Sequence, residues 1–258
     1  MVLSAVSAFS NLELCGVTCV YGDVELRGKI ALSYLGGLAP VYIGESQPIS
    51  GVKPWHSGLE GSSLGDLSGF QPRDGAIEFL NAEVERSPGE IEILAIGPLT
   101  NIARVIEKNP SWVEKVKALY VMGGDFARDF VEHNFKSDVR AAQIVFGSGI
   151  RVSVMPLDVT REVAIDISDF DFLGESALGR EIRQWASYKS LAFNNPHDLM
   201  ALLLIFQPEL FSLSEWGLVE VSDEGRSVHR VDKAGKQRVV MAVDKAVVRE
   251  RVLEVLAR

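Results

Sequence analysis

Cysteine is scarce in this 258-residue sequence, which contains only Cys15 and Cys19. If the segment that holds them is an extended strand, their Cα atoms lie roughly 13 Å apart. A disulfide requires Cα atoms closer than about 7 Å, and a C-x-x-x-C pair without further ligands is a poor metal site. We therefore expect two free thiols that act as small hydrophobic side chains of a buried strand.

Positive charge and long apolar runs are also scarce. The formal net charge is −9, which repels a phosphate backbone, and no local concentration of Lys and Arg offsets it. No apolar run approaches the roughly 20 residues that cross a bilayer, and the first residues lack the features of a signal peptide. These absences predict no nucleic-acid partner, no membrane partner and a cytoplasmic location.

Several catalytic signatures are missing as well. The sequence has neither G-x-G-x-x-G nor G-x-x-x-x-G-K-[ST], the two commonest phosphate-binding loops, and it lacks the G-x-S-x-G nucleophile elbow and H-E-x-x-H. These absences exclude the commonest nucleotide-phosphate sites, serine hydrolases of the elbow type and zinc peptidases. Any chemistry must come from other groups.

The pattern that is present is typical of an α/β protein. Short runs rich in Val and Ile alternate with longer helix-like segments, which predicts a sheet covered on both faces by helices. Strands are predicted at 13–21, 40–44, 91–97, 118–124, 151–157, 217–222 and 237–243. Helices are predicted at 24–38, 74–86, 100–108, 138–147, 176–191, 197–206 and 244–257.

Ligands of open α/β sheets bind beyond the carboxyl ends of the strands. Turn and capping residues follow several predicted strands, as in "GPLTN", where Thr100 falls at the start of a helix. One interpretation is a helix N-cap, and the other is a strand end whose carbonyls and amides contact a ligand or metal. The segments 45–73 and 158–196 have weaker periodicity, and either is a candidate lid.

The stretch "MGGDFARDFVEHNFKSD" places polar residues just past a predicted strand. Glu132 and Asn134 project to the same side if this stretch is extended. A carboxylate accepts hydrogen bonds and a carboxamide both donates and accepts, so the pair suits a ligand with several hydroxyls, such as a sugar. His133 then points away, and Asp138 is expected to cap the next helix.

His197 and Asp198 open a strongly apolar helix. An aspartate there can cap the helix and interact with its dipole. The pair also offers a titratable acid beside a carboxylate that can bind a metal. The residues alone leave both interpretations open.

Taken in order, five pieces resemble the inosine-uridine-preferring nucleoside hydrolase family: "LELCGVTCVYGD", "ILAIGPLTNIARVIEKNP", "YVMGG", "VEHNFKSDVRAAQIVFGSGIRVSVMPLDVT" and "HDLMALLLIFQPELF". The resemblance runs from about Leu12 to the C-terminal helix. It implies a single domain over 1–258 with a mixed, mostly parallel sheet, and hydrolysis of the N-glycosidic bond of small ribonucleosides to base and ribose. It also implies a homodimer or homotetramer, and a bound Ca²⁺ that holds the ribose 2′ and 3′ hydroxyls and the attacking water.

The resemblance assigns roles to individual residues. The Thr100 carbonyl and the Asp198 carboxylate match calcium ligands, and His197 matches the position that helps to protonate the leaving base. Glu132 and Asn134 match binders of the ribose hydroxyls. Two further positions match substrate contacts: Met122 packs near the sugar, and Asp23 stands where the family usually has an Asn that touches the ribose.

The sequence departs from the family at its start, because it has no Asp-x-Asp-Pro-Gly-x-Asp-Asp motif. In the family this motif supplies two calcium ligands, a ribose contact and the general base. Residues 1–14 resemble the remainder of the following helix, so we expect a domain that is N-terminally truncated relative to the family, with exposed neighbouring strand edges. Calcium binding is then expected to be weakened or absent, and hydrolytic activity to be impaired. The alternative function is that of a non-catalytic relative that binds a nucleoside or sugar or serves as an assembly subunit.

Overall fold

The computed structural model describes residues 1–258 and divides them into twelve strands and ten α-helices joined by turns and short 3₁₀ segments. The strands are β1 (Val17–Cys19), β2 (Val41–Ile43), β3 (Arg73–Asp74), β4 (Glu92–Ala95), β5 (Ala118–Met122), β6 (Val152–Met155), β7 (Ile165–Asp166), β8 (Phe193–Asn194), β9 (Phe211–Leu213), β10 (Gly217–Val221), β11 (Ser227–Val231) and β12 (Gln237–Val243). The helices are α1 (Val2–Ala5), α2 (Val24–Leu35), α3 (Ala76–Arg86), α4 (Thr100–Lys108), α5 (His133–Ser137), α6 (Val139–Gly147), α7 (Leu157–Thr160), α8 (Ala177–Lys189), α9 (His197–Phe206) and α10 (Lys245–Leu256).

The main sheet has seven strands in the order β11-β10-β12-β6-β5-β4, with β9 paired to β12. Strands β4, β5, β6 and β12 are parallel, whereas β9, β10 and β11 run antiparallel to their neighbours. A second sheet contains the parallel strands β1, β2 and β3, and β7 pairs with β8. The predicted fold class, a mixed and mostly parallel α/β arrangement, is confirmed.

Helices cover both faces of the main sheet because its central strands bury alternate residues on opposite sides. Leu119 and Val121 of β5 pack with α4, α6 and Trp112, while Met122 packs with α9 and α10 on the other face. Helix α9 is buried from Leu199 through Leu204. Each fully buried Leu contributes about 1.5–3 kcal/mol, so α9 anchors the second layer. No helix combines the length and apolarity needed to cross a membrane.

Most predicted boundaries agree with the structure to within two or three residues, but β1 does not. It is limited to Val17–Cys19 rather than 13–21, so Cys15 lies before the strand and is partly exposed. Both thiols are free, as expected. The elements that sequence periodicity missed are α1, α5, α7, β3, β7, β8, β9 and β11. All eight have only two to five residues, too few for a clear periodic pattern to emerge.

Strands β1 and β4 each have one edge without a strand partner. The side chain of Asn101 on α4 connects the two sheets near these edges: its Nδ2 donates to Cys19 O at 3.0 Å, and its Oδ1 accepts from Glu45 N at 2.9 Å. Gly44 makes room for this carboxamide, since an added Cβ would stand 2.5 Å from Nδ2. One buried side chain therefore fixes the spacing between the sheets.

Candidate functional site

The carboxyl end of β5 turns sharply through Gly123 and Gly124 and leads to a buried carboxylate. Gly124 adopts φ 74°, a region that favours glycine. Glu132 caps α5 and accepts hydrogen bonds from the backbone amides of Gly124 (3.2 Å), Asn134 (2.8 Å) and Phe135 (3.1 Å). These donors hold the Glu132 carboxylate at the end of the strand.

Asn134 joins this group from the first turn of α5. Its Nδ2 donates to Met122 O at 3.0 Å and lies 3.6 Å from Met122 Sδ, while its Oδ1 accepts no bond from the chain. The condition of an extended stretch from Glu132 to Asn134 is not met, because residues 133–137 are helical. The cause is the Glu132 carboxylate itself, which caps the helix. Glu132, Asn134 and Met122 nevertheless lie together.

Burial raises the pKa of Glu132 to about 7, although the three backbone N–H donors oppose the shift. The negative charge of Asp198 adds to the increase. Asp198 belongs to α9, 66 residues further along the chain. The two acidic groups predicted from separate motifs therefore lie within electrostatic range of each other.

Helix α9 begins after Pro196 and presents His197 and Asp198 in its first turn. His197 Nδ1 lies 2.7 Å from Thr160 Oγ1, and burial, assisted by the positive charge of Arg161, lowers the pKa of His197 to about 4. Burial raises the pKa of Asp198 to about 6, against the opposing charge of the Met1 amino group. The imidazole is thus neutral near pH 7, and the Asp198 carboxylate accepts no hydrogen bond.

Thr100 is the first residue of α4 rather than its cap, which is Leu99, so the N-cap interpretation is wrong. Its buried hydroxyl donates to Asp138 Oδ2 at 2.7 Å. Asp138 also accepts from Ile49 N (2.7 Å) and Ser50 N (3.0 Å), and it caps α6 through Ala141 N (3.1 Å) as expected. The sequence predicts only the capping role of Asp138, because its place between "FKS" and an apolar helix indicates nothing more.

Asp23 stands apart from the other predicted site residues. It caps α2, where its Oδ1 accepts from Leu26 N at 2.9 Å, and no hydrogen bond connects it to Glu132, Asn134 or Asp198. The preceding Tyr21 is buried with φ 70°, a conformation that is costly for a non-glycine residue and that clusters at functional sites. This strained turn sets the position of Asp23.

The two candidate lid segments contact each other. Arg180 of α8 donates to Ser63 O at 2.8 Å, and Lys189 Nζ lies 5.6 Å from the ring centre of Trp55. Trp55 in turn meets the ring of His133 edge-on at 5.9 Å. The loop after β2 and helix α8 therefore meet beside His133, the first residue of α5. His56, which lies in the same loop, is exposed to solvent.

The residues present fit a hard cation in part. An unpartnered, desolvated carboxylate on Asp198 is the kind of ligand that Ca²⁺ prefers, and the Thr100 carbonyl is a second oxygen donor. No cluster of three or more His, Cys, Asp and Glu side chains suits a metal. Since Ca²⁺ collects about six to eight oxygens, these two groups supply only part of a coordination shell.

Comparison with known proteins identifies the family. The family model described as inosine-uridine preferring nucleoside hydrolase matches residues 1–250. The chain belongs to this family. It is 30% identical to uridine nucleosidase 1 of Arabidopsis thaliana, over 88% of this chain and 76% of that protein.

Solved structures agree with the nucleoside hydrolase assignment. A plant nucleoside hydrolase superposes with a TM-score of 0.85 at 25% identity, over 99% of this chain and 92% of that one. A purine-preferring ribonucleoside hydrolase from Gardnerella vaginalis has the same TM-score at 22% identity, over 99% and 93% of the two chains, and supports the fold. The expected family and enzyme class, a ribonucleoside hydrolase, are confirmed, and the comparisons give no support to the non-catalytic alternative.

Proposed function

We propose that this nucleoside hydrolase cleaves the N-glycosidic bond of ribonucleosides to give free base and ribose at the carboxyl ends of β5 and β6. The observation that supports this site most strongly is the association of Glu132, Asn134 and Met122 at the end of β5, within electrostatic range of Asp198. A carboxylate and a carboxamide side by side match the hydroxyls of a sugar.

In this proposal Glu132 and Asn134 bind ribose hydroxyls. The free Oδ1 of Asn134 accepts a hydroxyl proton, and Glu132, already fixed by three backbone amides, does not have to reorganise when substrate binds. Glycosidic cleavage develops positive charge on the ribose, so the ionised carboxylate of Asp198 and, above about pH 7, that of Glu132 stabilise the transition state more than the ground state. Met122 packs against the sugar.

The remaining residues act at the two ends of the substrate. His197, held by Thr160 Oγ1 at 2.7 Å, lies on the leaving-base side and contacts the departing base. Asp23, on the strained turn after β1, contacts the ribose from the other side. A carboxylate at this position removes the hydrogen-bond donors of an asparagine and adds a negative charge.

We propose Ca²⁺ as the metal, with the Thr100 carbonyl and the Asp198 carboxylate as two of its ligands. When bound, Ca²⁺ would orient and acidify the attacking water. The hydrogen bond from Thr100 to Asp138 fixes the first turn of α4, and the open carboxylate of Asp198 meets a cation without losing a hydrogen bond. Water, substrate and further acidic groups would complete the shell.

The test is an assay of ribose release from uridine and inosine in the presence of Ca²⁺. The assay compares the chain, its Glu132→Ala variant, and the chain preceded by a segment carrying the family's aspartate motif. Release by the chain or by its extended form, abolished by Glu132→Ala, supports the proposal. Binding of nucleosides with no release in either form would instead favour the non-catalytic alternative.

The resemblance also supports two further proposals: a single domain over residues 1–258 and assembly as a homodimer or homotetramer. We also propose the cytoplasmic location that the sequence predicts. Light scattering coupled to size-exclusion chromatography distinguishes these assemblies from a monomer by mass. Limited proteolysis tests the domain proposal, because a single domain resists internal cleavage until it unfolds as a whole.

A further inference from the structure

Two guanidinium groups lie against the ring of Trp216 at the amino end of the main sheet. Arg151 Cζ is 4.4 Å and Arg238 Cζ is 4.6 Å from the ring centre, and the indole is half-buried. Arg151 directly precedes β6, and Arg238 is the second residue of β12. The parallel pairing of β6 with β12 therefore brings the two arginines, which are distant in the chain, to the same edge of the sheet.

An open cleft of about 210 Å³ lies beside this indole. Three of its five lining residues are cationic and none is acidic; they are Arg151, Trp216, Lys233, Gly235 and Lys236. The turn that carries both lysines is held against β10, since a Cβ added at Gly235 would stand 2.1 Å from Gly217 O. The backbone therefore fixes the positions from which the cationic side chains reach the cleft.

These positive charges have no carboxylate partners. No ion pair of the chain involves Arg151, Lys233 or Lys236, although the net charge is −9. Arg238 donates to the neutral Ser153 Oγ at 3.0 Å. Burial lowers the pKa of Arg238, and the positive charge of Arg151 adds to the decrease. The two guanidinium groups thus repel each other, and a bound anion would offset that repulsion.

The carboxylates of the neighbouring segments do not neutralise the cleft. Asp232, which begins the turn, accepts a hydrogen bond from Ala234 N at 2.8 Å. Glu92 of β4 is paired with Lys117 at 3.4 Å. Glu215 lines only an adjoining cleft of about 290 Å³ and forms no ion pair. The uncompensated charge is therefore available to a ligand.

The chemistry of the cleft suits a phosphate group. The Trp216 ring orients the guanidinium plane of Arg151, and the guanidinium fork matches two oxygens of a phosphate. The ammonium groups of Lys233 and Lys236 add positive charge beside it. Pockets that enclose drug-sized ligands have volumes of about 300–1,000 Å³, so this smaller cleft favours a small anion.

We propose that the cleft beside Trp216 binds a phosphate group, either as free phosphate or as the phosphate of a small monoester. The cleft is separate from the proposed catalytic site. Arg151 stands at the start of β6, and Met155 ends that strand, so about 10 Å of extended chain lies between the cleft and the carboxyl end of the sheet. Phosphate binding would link the start of β6 to the turn before β12 and stabilise the fold, whether or not nucleoside is present.

The test is isothermal titration calorimetry of inorganic phosphate into the chain, at an ionic strength held constant with chloride. Loss of a hydrogen bond between charged groups predicts that Arg151→Gln and Lys236→Gln each weaken binding about ten- to a hundredfold. Arg86→Gln is the matched control, because it removes an exposed arginine of α3 that is paired with Glu83. The control should bind phosphate as the parent does.

Thermal unfolding is a second measurement, because a ligand of the folded state raises Tm. Phosphate should raise the Tm of the parent and of Arg86→Gln, and it should raise that of the two cleft variants less. Lys236 is exposed and stacks on no ring, so Lys236→Gln keeps the test decisive if Arg151→Gln disturbs the packing of Trp216. Repeating the titration with glycerol 3-phosphate distinguishes a site for free phosphate, which would bind the ester more weakly, from a site for monoesters.

Two outcomes would overturn the inference. One is that neither phosphate compound produces a saturable signal above that of chloride in the parent. The other is that Arg151→Gln and Lys236→Gln bind phosphate as tightly as the parent, which would place any binding elsewhere on the chain.

Discussion

The hydroxyl of Thr100 donates to Asp138 Oδ2 at 2.7 Å, and both side chains are buried. The Asp138 carboxylate also accepts hydrogen bonds from the backbone amides of Ile49 and Ser50. A single carboxylate thereby links the start of α4, the start of α6 and the loop after β2. The proposed metal ligand of α4 owes its position to this carboxylate rather than to a helix cap.

We expect Thr100→Val to destabilise the protein by about 1.5–3 kcal/mol, the range for a hydrogen bond to a charged group. Valine is nearly isosteric with threonine but leaves Asp138 without one donor. Thr100→Ser keeps the hydroxyl and is the matched control, with a smaller loss from the deleted methyl. Urea denaturation measures both, and equal losses in the two variants would show that the hydroxyl contributes nothing.

The raised pKa of Glu132 predicts a specific dependence of stability on pH. Below about pH 4.5 the carboxyl is protonated in both the folded and unfolded states. Between about pH 4.5 and 7 it ionises only in the unfolded state, so the folded state loses stability as the pH rises; above about pH 7 the loss levels off.

This loss amounts to about 3 kcal/mol at one pKa unit per 1.36 kcal/mol. Glu132→Gln removes the titration, so the difference in unfolding free energy between parent and variant should fall over this interval. Denaturation curves at pH 4.5 to 8 measure it. A difference that stays constant with pH would contradict a raised pKa.

Calcium should stabilise the chain through Asp198. A ligand that binds only the folded state adds RT ln(1 + [L]/Kd), about 1.4 kcal/mol at ten times Kd. In differential scanning calorimetry, CaCl2 should raise Tm for the parent but not for Asp198→Asn. Asp171→Asn, which changes an exposed carboxylate, should respond like the parent; an undiminished response of Asp198→Asn would remove this residue from the metal site.

Two glycine substitutions should have opposite effects. Gly44→Ala forces a Cβ to within 2.5 Å of Asn101 Nδ2, which breaks the link between the sheets, and we expect a loss of about 2 kcal/mol or more. Gly147→Ala, in the last turn of α6 with open space around it, should stabilise by about 0.5–1 kcal/mol. Thermal unfolding compares them, and a neutral Gly44→Ala would show that Asn101 adapts freely.

Local periodicity predicted most long elements because their burial follows a simple pattern. Helices α4 and α9 match the prediction residue for residue, at 100–108 and 197–206. Helix α5 could not be predicted from the sequence, because five residues are too few to show a helical period. The resemblance predicted roles for Glu132, Asn134, His197 and Asp198, but it gave no indication that Asp138 accepts hydrogen bonds from Thr100, Ile49 and Ser50.

The order of apolar and polar residues by itself determined the α/β class, the strand and helix sequence and the family, because these depend on local propensity and on motifs contiguous in the chain. Tertiary structure alone decided what each polar group contacts. Asp138 bonds to Thr100, and Asn101 links the two sheets, only because segments distant in the chain pack together. For the same reason the charge of Asp198 acts on Glu132. Burial then changed the pKa values of these groups, a consequence of desolvation that no linear pattern records.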